Sequence, residues 1–443
     1  MSGLRFCMIT TFYPPYNFGG DGIGIQRFSQ GLVRRGHQVT VLQDIDAYNL
    51  LNKGADPSEK DASDGVEVVR IHGRLGMLSV LLTQQTGRPV MSGRAIRRFL
   101  NARKFDVINF HNISLMGGPG VLECGDALKL YMAHEHWLVC PTHVLWRHKR
   151  ERCTGRQCLR CSLHYRRPPQ LWRYTGFLER QLEHVDGFIA MSEFSRKKHH
   201  EFGFARDMEV VNYFLPDQPG QGSNDGSPHP RPYFLFVGRL ERIKGLDDVI
   251  PLFRRYRDAD LLIAGDGEYA PVLRELANGV TGVKFLGRVE PERLDRYYRH
   301  ALALVVPSVC FETFGIILIE AFRQGTPVLA RRIGPFPEIV ERCGGGLLFD
   351  GPEDLLAALQ RIQADLPLRQ RLAESGRQGF RDHWSETAVI PLYLDVVKRT
   401  AQARGRADIV RALDSEPDAN STSMSEQPSE GGFTDSRSLG AAT

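Results

Sequence analysis

The sequence predicts an α/β fold in which two doubly wound domains follow each other along the chain. Short apolar strands alternate with segments of helical periodicity, a pattern typical of parallel sheets covered by helices. A stretch rich in Pro, Gly, Ser and Asp (216–232) interrupts this alternation, and a second α/β series begins behind it. With 443 residues, 42% hydrophobic and 25% charged, the composition fits globular domains and excludes collagen-like, wholly disordered and disulfide-knotted proteins.

The first domain is predicted from a β-loop-α-β unit at the front of the chain. Arg5–Thr10 is a short apolar strand, Ile25–Arg35 has apolar residues at helical spacing before Gly36, and Gln38–Leu42 is the next strand. Such a unit requires parallel strands. Further strands are predicted at Val66–Ile71, Val107–Phe110, Lys129–Ala133 and Gly187–Met191, and helices at Arg94–Ala102 and Gly176–His184.

The second domain follows the linker with the same alternation. We place the first domain at 1–215, the linker at 216–232 and the second domain at 233–385, and we expect a polar, disordered tail at 413–443. Ligands of doubly wound folds bind beyond the carboxyl ends of the strands, so the site is expected in the cleft between the domains. The strands of the second domain are predicted at Tyr233–Val237, Asp260–Ala264, Val283–Leu286, Ala303–Pro307 and Pro327–Ala330.

Location and charge restrict the partners. No apolar run approaches the ~18 residues that span a bilayer, and the N-terminus leads into a strand without a signal-peptide core, so a cytoplasmic protein is expected. The net charge of +5 is too small for a dedicated nucleic-acid binder. Basic residues nevertheless crowd the segment from Arg147 to Arg180. This segment is either a solvated face or a surface for anionic lipid or a phosphate-bearing substrate, at the inner face of the membrane.

Four of the eight cysteines form a cluster in the sequence. The spacing Cys140-x12-Cys153-x4-Cys158-x2-Cys161 ends in the C-x2-C pair of a structural zinc knuckle. Four thiolates would leave no open coordination position, so a zinc ion here would be structural. The alternatives are four unrelated thiols or a redox function.

Two loops of the predicted cleft have glycine and basic residues suited to phosphate. Gly19 and Gly20 follow the first strand and precede a helix, whose N-terminus attracts anions. Gly238 begins the loop after the first strand of the second domain, where Arg239 and Lys244 place two cations. A diphosphate requires such a pair of charges. A plain tight turn and surface charge are the alternative interpretations.

A third loop combines acids with a helix start. Glu312 precedes a predicted helix and Glu320 lies eight residues further on, on either side of an apolar run. Phe314, Gly315 and Ile316 would present backbone N–H groups at the helix start, and a carboxylate two turns later would accept from a pair of sugar hydroxyls. An ion pair is the alternative for either acid.

Two further loops contain candidate residues. His134 follows a strand of the first domain and is either structural or directed at the cleft. Gly265–Ala270 fits G-x-G-x-x-A, which raises a nicotinamide-dependent oxidoreductase as an alternative. The next strand tip, Leu286–Arg288, has no acid to hold a ribose, which disfavours that alternative.

Together these motifs resemble glycosyltransferase family 4, retaining enzymes of the GT-B fold that use nucleotide sugars. The likeness runs from Arg5 to about Arg399. It departs at Gly334-Pro335, where the family often has Gly-Gly, and at the cysteine cluster (within 137–173), which is not a general family feature. It is carried by FYPPYNFGG, RGHQVTVL, FVGRLERIKGLDDVI, IAGDGEY, VKFLGRV, FETFGIILIEA and RQGTPVLARRIGPFPEIV.

The resemblance implies roles for the candidate residues. In the first domain, Gly19 and Gly20 would lie near the donor phosphates and the acceptor, and His134 would face the transferred sugar. In the second, Arg239 and Lys244 would neutralise the departing diphosphate. The other implied donor contacts are Gly238, the backbone around Arg288 and Val289 for the base, the helix start at Phe314–Ile316, Glu312 for the sugar hydroxyls and Glu320 for the ribose.

The resemblance also implies a reaction. A sugar would move from a nucleotide diphosphate to a sugar or lipid-linked acceptor by front-face attack, without a required cofactor or catalytic metal, in cell-surface polysaccharide or glycolipid synthesis. The last helices, about 386–412, would cross back onto the first domain, with Pro391 in a first helical turn. Besides the oxidoreductase, a non-catalytic, zinc-stabilised scaffold of the same fold is the alternative.

Overall fold

The structure is a computed structural model that describes residues 3–52, 64–73, 76–217 and 226–415. The middle of the predicted linker and the tail from residue 416 onward lie outside these residues. Within them the strands are β1 (Arg5–Thr10), β2 (Gln38–Asp44), β3 (Glu67–Ile71), β4 (Val107–Phe110), β5 (Leu128–Ala133), β6 (Trp146–Arg147), β7 (Glu151–Arg152), β8 (Gly187–Ala190), β9 (Glu209–Val210), β10 (Tyr233–Val237), β11 (Asp260–Ala264), β12 (Val283–Gly287), β13 (Leu304–Val306), β14 (Val328–Arg331) and β15 (Gly346–Phe349).

Helices connect these strands and cover both faces of each large sheet. They are α1 (Gly20–Arg34), α2 (Asp46–Leu51), α3 (Met77–Thr86), α4 (Gly93–Ala102), α5 (Cys158–His164), α6 (Phe177–Leu182), α7 (Glu193–Glu201), α8 (Ala270–Leu276), α9 (Pro291–His300), α10 (Ile316–Gln324), α11 (Phe336–Cys343), α12 (Pro352–Ala364), α13 (Leu366–His383), α14 (Glu386–Ala403) and α15 (Ala407–Asp414).

The first sheet is parallel, in the order β3-β2-β1-β4-β5-β8-β9. β1 and β4 read as short apolar runs because both faces of the sheet are covered; five of the six β1 residues are buried. The strand order reverses between β1 and β4, and such a switch point opens a crevice at the carboxyl ends of the strands. The loops after β1 and β4 border that crevice.

The second sheet repeats this design in the order β12-β11-β10-β13-β14-β15, again with parallel strands. Its switch point lies between β10 and β13. The predicted strands of both domains are confirmed, and β15 adds a sixth strand that the sequence analysis did not include. After β10 the alternation of strands and α-helices is interrupted by short 3-10 turns, Arg242–Lys244, Leu246–Asp248 and Ile250–Arg254. Gly245 and Pro251 fall inside this segment and disfavour a continuous α-helix.

A common apolar core joins the two halves. One cluster of buried side chains includes Phe28 and Tyr213 from the first half and Phe314 and Leu318 from the second. The rings of Tyr213 and Phe314 lie 5.8 Å apart across this junction.

Helix α14 packs against α1 of the first domain. It begins at Glu386 because Ser385 caps it: the Ser385 hydroxyl accepts from the Ala388 N–H at 3.2 Å. Pro391 therefore lies inside the helix, not in its first turn as predicted. The Tyr393 hydroxyl accepts from Asn109 Nδ2 at 3.1 Å, at the carboxyl half of β4. Among the described residues, no helix combines the length and apolar character needed to cross a bilayer.

Candidate active site

The two switch points face each other, and the loop after β1 touches the helix that follows β13. A Cβ on Gly20 would lie 3.2 Å from Ile316 Cδ1, so this glycine allows the first domain to approach the start of α10 closely. Gly19, with φ of 88°, makes the turn into α1. The predicted Gly19-Gly20 loop and the predicted Phe314–Ile316 helix start are thus brought together.

Lys244 and Glu312 form the central ion pair of this cleft. Lys244 Nζ donates to Glu312 Oε1 at 2.7 Å, and the Ser308 hydroxyl donates to the same oxygen at 2.9 Å. The two charged side chains are only 21% and 23% exposed. Lys244 comes from the 3-10 turn after β10, and Ser308 and Glu312 from the loop after β13. The pair therefore joins the two loops that border the second switch point.

Electrostatics keep both members of this pair charged. Burial opposes the charge on Lys244, but Glu312 and Cys310 outweigh it and raise the pKa of Lys244 above its usual value. Burial likewise opposes ionisation of Glu312, and the charge and hydrogen bonds of Lys244 and Ser308 lower its pKa overall. At neutral pH the site holds an ammonium group beside a carboxylate.

Arg239 lies at the rim of the same site. Its guanidinium group pairs with Glu241 at 2.9 Å, and its side chain is 66% exposed. Its charge still acts on the pair below it, where it favours ionised Glu312 and opposes protonated Lys244. Arg239 therefore adds positive potential at the entrance, and Lys244 at the base.

The glycines of the G-x-G-x-x-A segment are needed for packing. A Cβ on Gly265 would lie 1.9 Å from the Gly238 carbonyl oxygen, and one on Gly267 would lie 2.4 Å from the Leu240 carbonyl oxygen. The loop after β11 thus presses its backbone against the loop after β10. This contact accounts for both glycines without a nicotinamide dinucleotide.

Glu320 lies about one turn into α10 and reaches the first domain. Its Oε2 accepts from the Tyr298 hydroxyl at 2.9 Å, and its Oε1 lies 3.8 Å from Nη2 of Arg27 on α1. Burial lowers the pKa of Arg27, and the nearby Glu320 partly offsets this effect. The sequence analysis missed Arg27 and Tyr298, because the helical pattern of α1 and α9 does not reveal which side chains meet across the cleft.

His134 lies at the end of β5 in a buried hydrogen-bonded chain. Its Nε2 and His111 Nδ1 are 2.8 Å apart, and its Nδ1 is hydrogen-bonded to the Tyr213 hydroxyl. Burial lowers the pKa of His134 to about 3, so its imidazole is neutral. Both ring nitrogens are engaged inside the first domain, so a hydrogen bond from this ring to a sugar would require Tyr213 or His111 to move.

The backbone of His134 makes the link to the second domain. The Thr313 hydroxyl donates to the His134 carbonyl at 2.8 Å, and the Ser192 hydroxyl donates to the Thr313 carbonyl at 2.6 Å. Thr313 follows Glu312 directly, so these bonds hold the loop that contains Glu312 against the first domain.

An acid of the first domain directly follows the Gly19-Gly20 loop. Asp21, in the first turn of α1, accepts from Asn112 Nδ2 in the loop after β4. Burial, together with the negative charge of Glu135, raises the pKa of Asp21 to about 6. The sequence analysis did not select Asp21, although its position directly after Gly20 was a usable signal.

Arg288 and Val289 are separated from the ion pair. They follow β12, which lies two strands away from β10 in the sheet. Arg288 is exposed and Val289 packs partly against the main core. Their assignment to the base therefore stays a prediction.

The predicted zinc site is not supported. The thiols of Cys140, Cys153, Cys158 and Cys161 are free, and among the described residues no group of three or more His, Cys, Asp or Glu side chains is arranged to hold a metal ion. Local hydrogen bonds use three of the thiols: Cys140 with Thr142, Cys153 with the Gly155 carbonyl, and Cys161 with the His148 N–H. Burial raises the pKa of Cys153, Cys158 and Cys161, which favours neutral thiols over metal-binding thiolates.

Comparison with known proteins covers both halves of the chain. The family described as "Glycosyltransferase Family 4" matches residues 18–214, and that described as "Glycosyl transferases group 1" matches residues 221–379. An uncharacterized glycosyltransferase of Methanocaldococcus jannaschii is 23% identical over 441 aligned residues, which cover 91% of this chain and 100% of the relative.

Two solved structures have a similar fold. Sucrose-phosphate synthase from Thermosynechococcus elongatus aligns with a TM-score of 0.68 at 19% identity, over 90% of this chain and 100% of that one. HepE from Anabaena, solved in complex with UDP-glucose, aligns with a TM-score of 0.60 at 15% identity, over 91% and 100% of the two chains.

Proposed function

Because this chain belongs to glycosyltransferase family 4 and has the GT-B fold, we propose that it transfers a sugar from a nucleotide diphosphate to an acceptor with retention at the anomeric carbon. The bond between the anomeric carbon and the diphosphate oxygen breaks as an acceptor hydroxyl attacks from the same face. The hydroxyl proton passes to the departing diphosphate, and the nucleoside diphosphate leaves. In this reaction no side chain of the protein forms a covalent bond to the sugar.

The observation that supports this proposal is the buried Lys244–Glu312 pair at the second switch point. The departing diphosphate gains negative charge in the transition state, and a fixed ammonium group in a partly dry site stabilises that charge more strongly than water does. Arg239 at the rim and the N-terminus of α10 add positive potential. Glu312, held by Lys244 and Ser308, is placed to accept from hydroxyls of the transferred sugar.

The second acid of the site is assigned to the ribose. Glu320 lies on α10, eight residues after the proposed sugar contact at Glu312, and Tyr298 orients its carboxylate. The backbone near Arg288 and Val289 would take the base at the edge of the cleft. On the side of the first domain, Gly19, Gly20 and the neutral His134 would face the transferred sugar.

A nicotinamide-dependent reaction is not favoured. The glycines that suggested it are required by backbone packing between the loops after β10 and β11. A non-catalytic scaffold has no need for a buried ion pair at the carboxyl ends of the strands.

For the acceptor we propose a lipid-linked or other phosphate-bearing molecule, in cell-surface polysaccharide or glycolipid synthesis. The cysteine-rich segment (within 137–173) packs against the loop that contains Glu312. Phe311 of this loop packs against the cluster of Cys140 and Leu145, and Lys198 Nζ lies 4.8 Å from the centroid of the Phe311 ring. A cavity of about 360 Å³ lies between the cysteine-rich segment and the loop after β13, and is lined by Trp146, Arg150, Glu151, Arg152, Thr154 and Val309. Its arginines suit an acceptor phosphate.

The proposal also includes a cytoplasmic location at the inner face of the membrane. Free thiols at all eight cysteines fit a reducing compartment.

The test is a panel of nucleotide sugars, with release of nucleoside diphosphate as the measurement and the anomeric configuration of the product read by NMR. Glu312→Gln should lower turnover by at least ~100-fold, because the variant loses a charge that the sugar contact needs. Glu353→Gln is the matched control, since Glu353 is 76% exposed on α12. Inversion at the anomeric carbon, or equal activity of the two variants, would contradict the proposal.

A further inference from the structure

Helix α3 exposes three of its large apolar side chains to solvent. Its sequence, MLSVLLTQQT, contains no charged residue. Met77, Leu78 and Leu81 are 58%, 49% and 46% exposed, whereas Ser79, Val80 and Thr83 are buried. A surface helix of a water-soluble domain ordinarily turns its large apolar side chains toward the core.

A second segment extends this apolar surface. Gln84 of α3 donates from Nε2 to the Pro168 carbonyl at 3.2 Å and accepts at its own carbonyl from Trp172 Nε1 at 3.0 Å. Leu171 and Tyr174, in the 3-10 turn beside this contact, are 65% and 64% exposed. We call Met77, Leu78, Leu81, Leu171 and Tyr174 the apolar face.

Both segments that form the apolar face lack acids. Between Glu67 and Asp106 the sequence has seven arginines, one lysine and no Asp or Glu. Between Glu151 and Glu179 it has six arginines and again no acid. Arg88 follows α3 directly, and Arg167 precedes the Pro168 contact; both are exposed. Exposed arginines thus flank both segments of the apolar face along the chain.

This combination identifies the partner by its chemistry. A dissolved polyanion would bind the arginines but gain nothing from leucines held in water. An anionic bilayer offers phosphates to the arginines and hydrocarbon to the leucines at the same surface. We propose that the apolar face docks the protein on an anionic membrane, with Met77, Leu78 and Leu81 below the headgroups and Arg88 and Arg167 at the lipid phosphates.

The location of the apolar face fits membrane docking. This step of the inference rests on the proposed function, because it relates the face to the cleft of a transferase. Helix α3 packs against α2, which follows β2 at the carboxyl edge of the first sheet. Tyr48 of α2 stacks on Phe18 at 4.7 Å, and Phe18 adjoins Gly19. A docked membrane would thus lie near the Gly19-Gly20 loop, at one edge of the cleft.

The experiment is co-sedimentation of the full chain with vesicles. Vesicles of phosphatidylcholine alone are compared with vesicles in which about a third of the lipid is phosphatidylglycerol. We expect binding at least ~10-fold tighter to the anionic vesicles. Two variants should each lose ~10-fold or more of that binding: Met77→Gln/Leu78→Gln/Leu81→Gln and Arg88→Gln/Arg167→Gln.

The matched control removes equally exposed apolar side chains elsewhere. Val272, Leu366 and Leu392 are 48%, 48% and 55% exposed on α8, α13 and α14, and their triple glutamine variant should bind like the wild type. Leu78→Asp is a second, smaller change that should also lose anionic binding. Equal binding to both vesicles, unchanged binding of the α3 variants, or equal loss in the control variant would overturn the inference.

The two proposals fail separately. Release of nucleoside diphosphate by the wild-type chain is measured in buffer without vesicles. Vesicle binding without that release would leave the docking surface standing and refute the transferase proposal. Release without vesicle binding would do the reverse.

Discussion

Breaking the Lys244–Glu312 pair tests the electrostatic core of the site. We consider Lys244→Met, Glu312→Gln and the double variant. In each single variant the other charged side chain, Glu312 or Lys244, remains about a fifth exposed and loses its counter-charge. A buried charge left alone destabilises the fold, so each single change should lower the free energy of unfolding.

The magnitude follows from the 2.7 Å contact. With an effective dielectric constant of ~20, Coulomb's law gives about 6 kcal/mol for unit charges at this distance, which is an upper bound. Partial solvent contact and the desolvation of both groups reduce this, and we expect about 2–3 kcal/mol lost in each single variant. The double variant should lose about 2 kcal/mol less than the sum, because it leaves no unpaired charge.

Urea unfolding measures the stabilities, and release of nucleoside diphosphate measures the activity. Lys244→Met should lower kcat/KM by ~100-fold or more, and the double variant should regain stability without regaining activity. Lys244→Arg is the control that keeps the charge. If the stability losses of the two single variants add up to that of the double variant within ~0.5 kcal/mol, the pair is not coupled. A threefold or smaller loss of activity in Lys244→Met would remove Lys244 from the diphosphate site.

Three further predictions concern pH, a hydrogen-bond chain and backbone packing. Burial raises the pKa of Asp44 to about 7 in the folded chain, so on raising the pH the unfolded chain loses this proton at a lower pH than the folded chain does. The free energy of unfolding should therefore fall as the pH rises from about 4 to 7. Asp44→Asn should flatten the pH dependence of the melting temperature, and an unchanged profile would contradict this. Tyr213→Phe removes a partner of buried His134 and should lower the free energy of unfolding by about 1–2 kcal/mol; no loss in urea unfolding would show that this bond is replaced. Gly265→Ala places a Cβ 1.9 Å from a carbonyl oxygen and should cost more than about 3 kcal/mol or abolish folding, whereas Gly279→Ala, where a Cβ meets nothing within 4 Å, should cost only about 1 kcal/mol of backbone strain; equal losses would refute the packing argument.

The strands were predictable because parallel sheets covered on both faces leave short, unbroken apolar runs. Arg5–Thr10 and Tyr233–Val237 carry this signal and agree residue by residue with the structure. Helix α3 was not predicted, because Met77, Leu78 and Leu81 are exposed and its buried positions hold Ser79 and Thr83 beside Val80. A pattern that assumes that large apolar side chains point inward does not detect such a helix.

The site was predictable in its parts but not in its contacts. Lys244 and Glu312 were each selected from a loop after a strand, yet they are 68 residues apart, and only the fold makes them a pair. Arg27 lies on a helix whose pattern indicates burial, and nothing in that pattern shows that it meets Glu320 of the other domain. The cysteine spacing suggested a metal, but spacing alone does not fix where the sulfur atoms lie.

The seam between the halves has a consequence for engineering. Thr313 is held by Ser192 and the His134 backbone, and Glu338 of α11 accepts from the N–H groups of Glu193 and Phe194 at 3.1 and 2.8 Å. Apart from the Ser192 hydroxyl, the first domain contributes backbone groups to these bonds, and any residue supplies such groups. A chimera that takes its second half from a relative would therefore keep these bonds only if that half has a hydroxyl at position 313 and a carboxylate at position 338. Retaining Thr313 and Glu338 would let the second half be exchanged without losing the bonds across the seam.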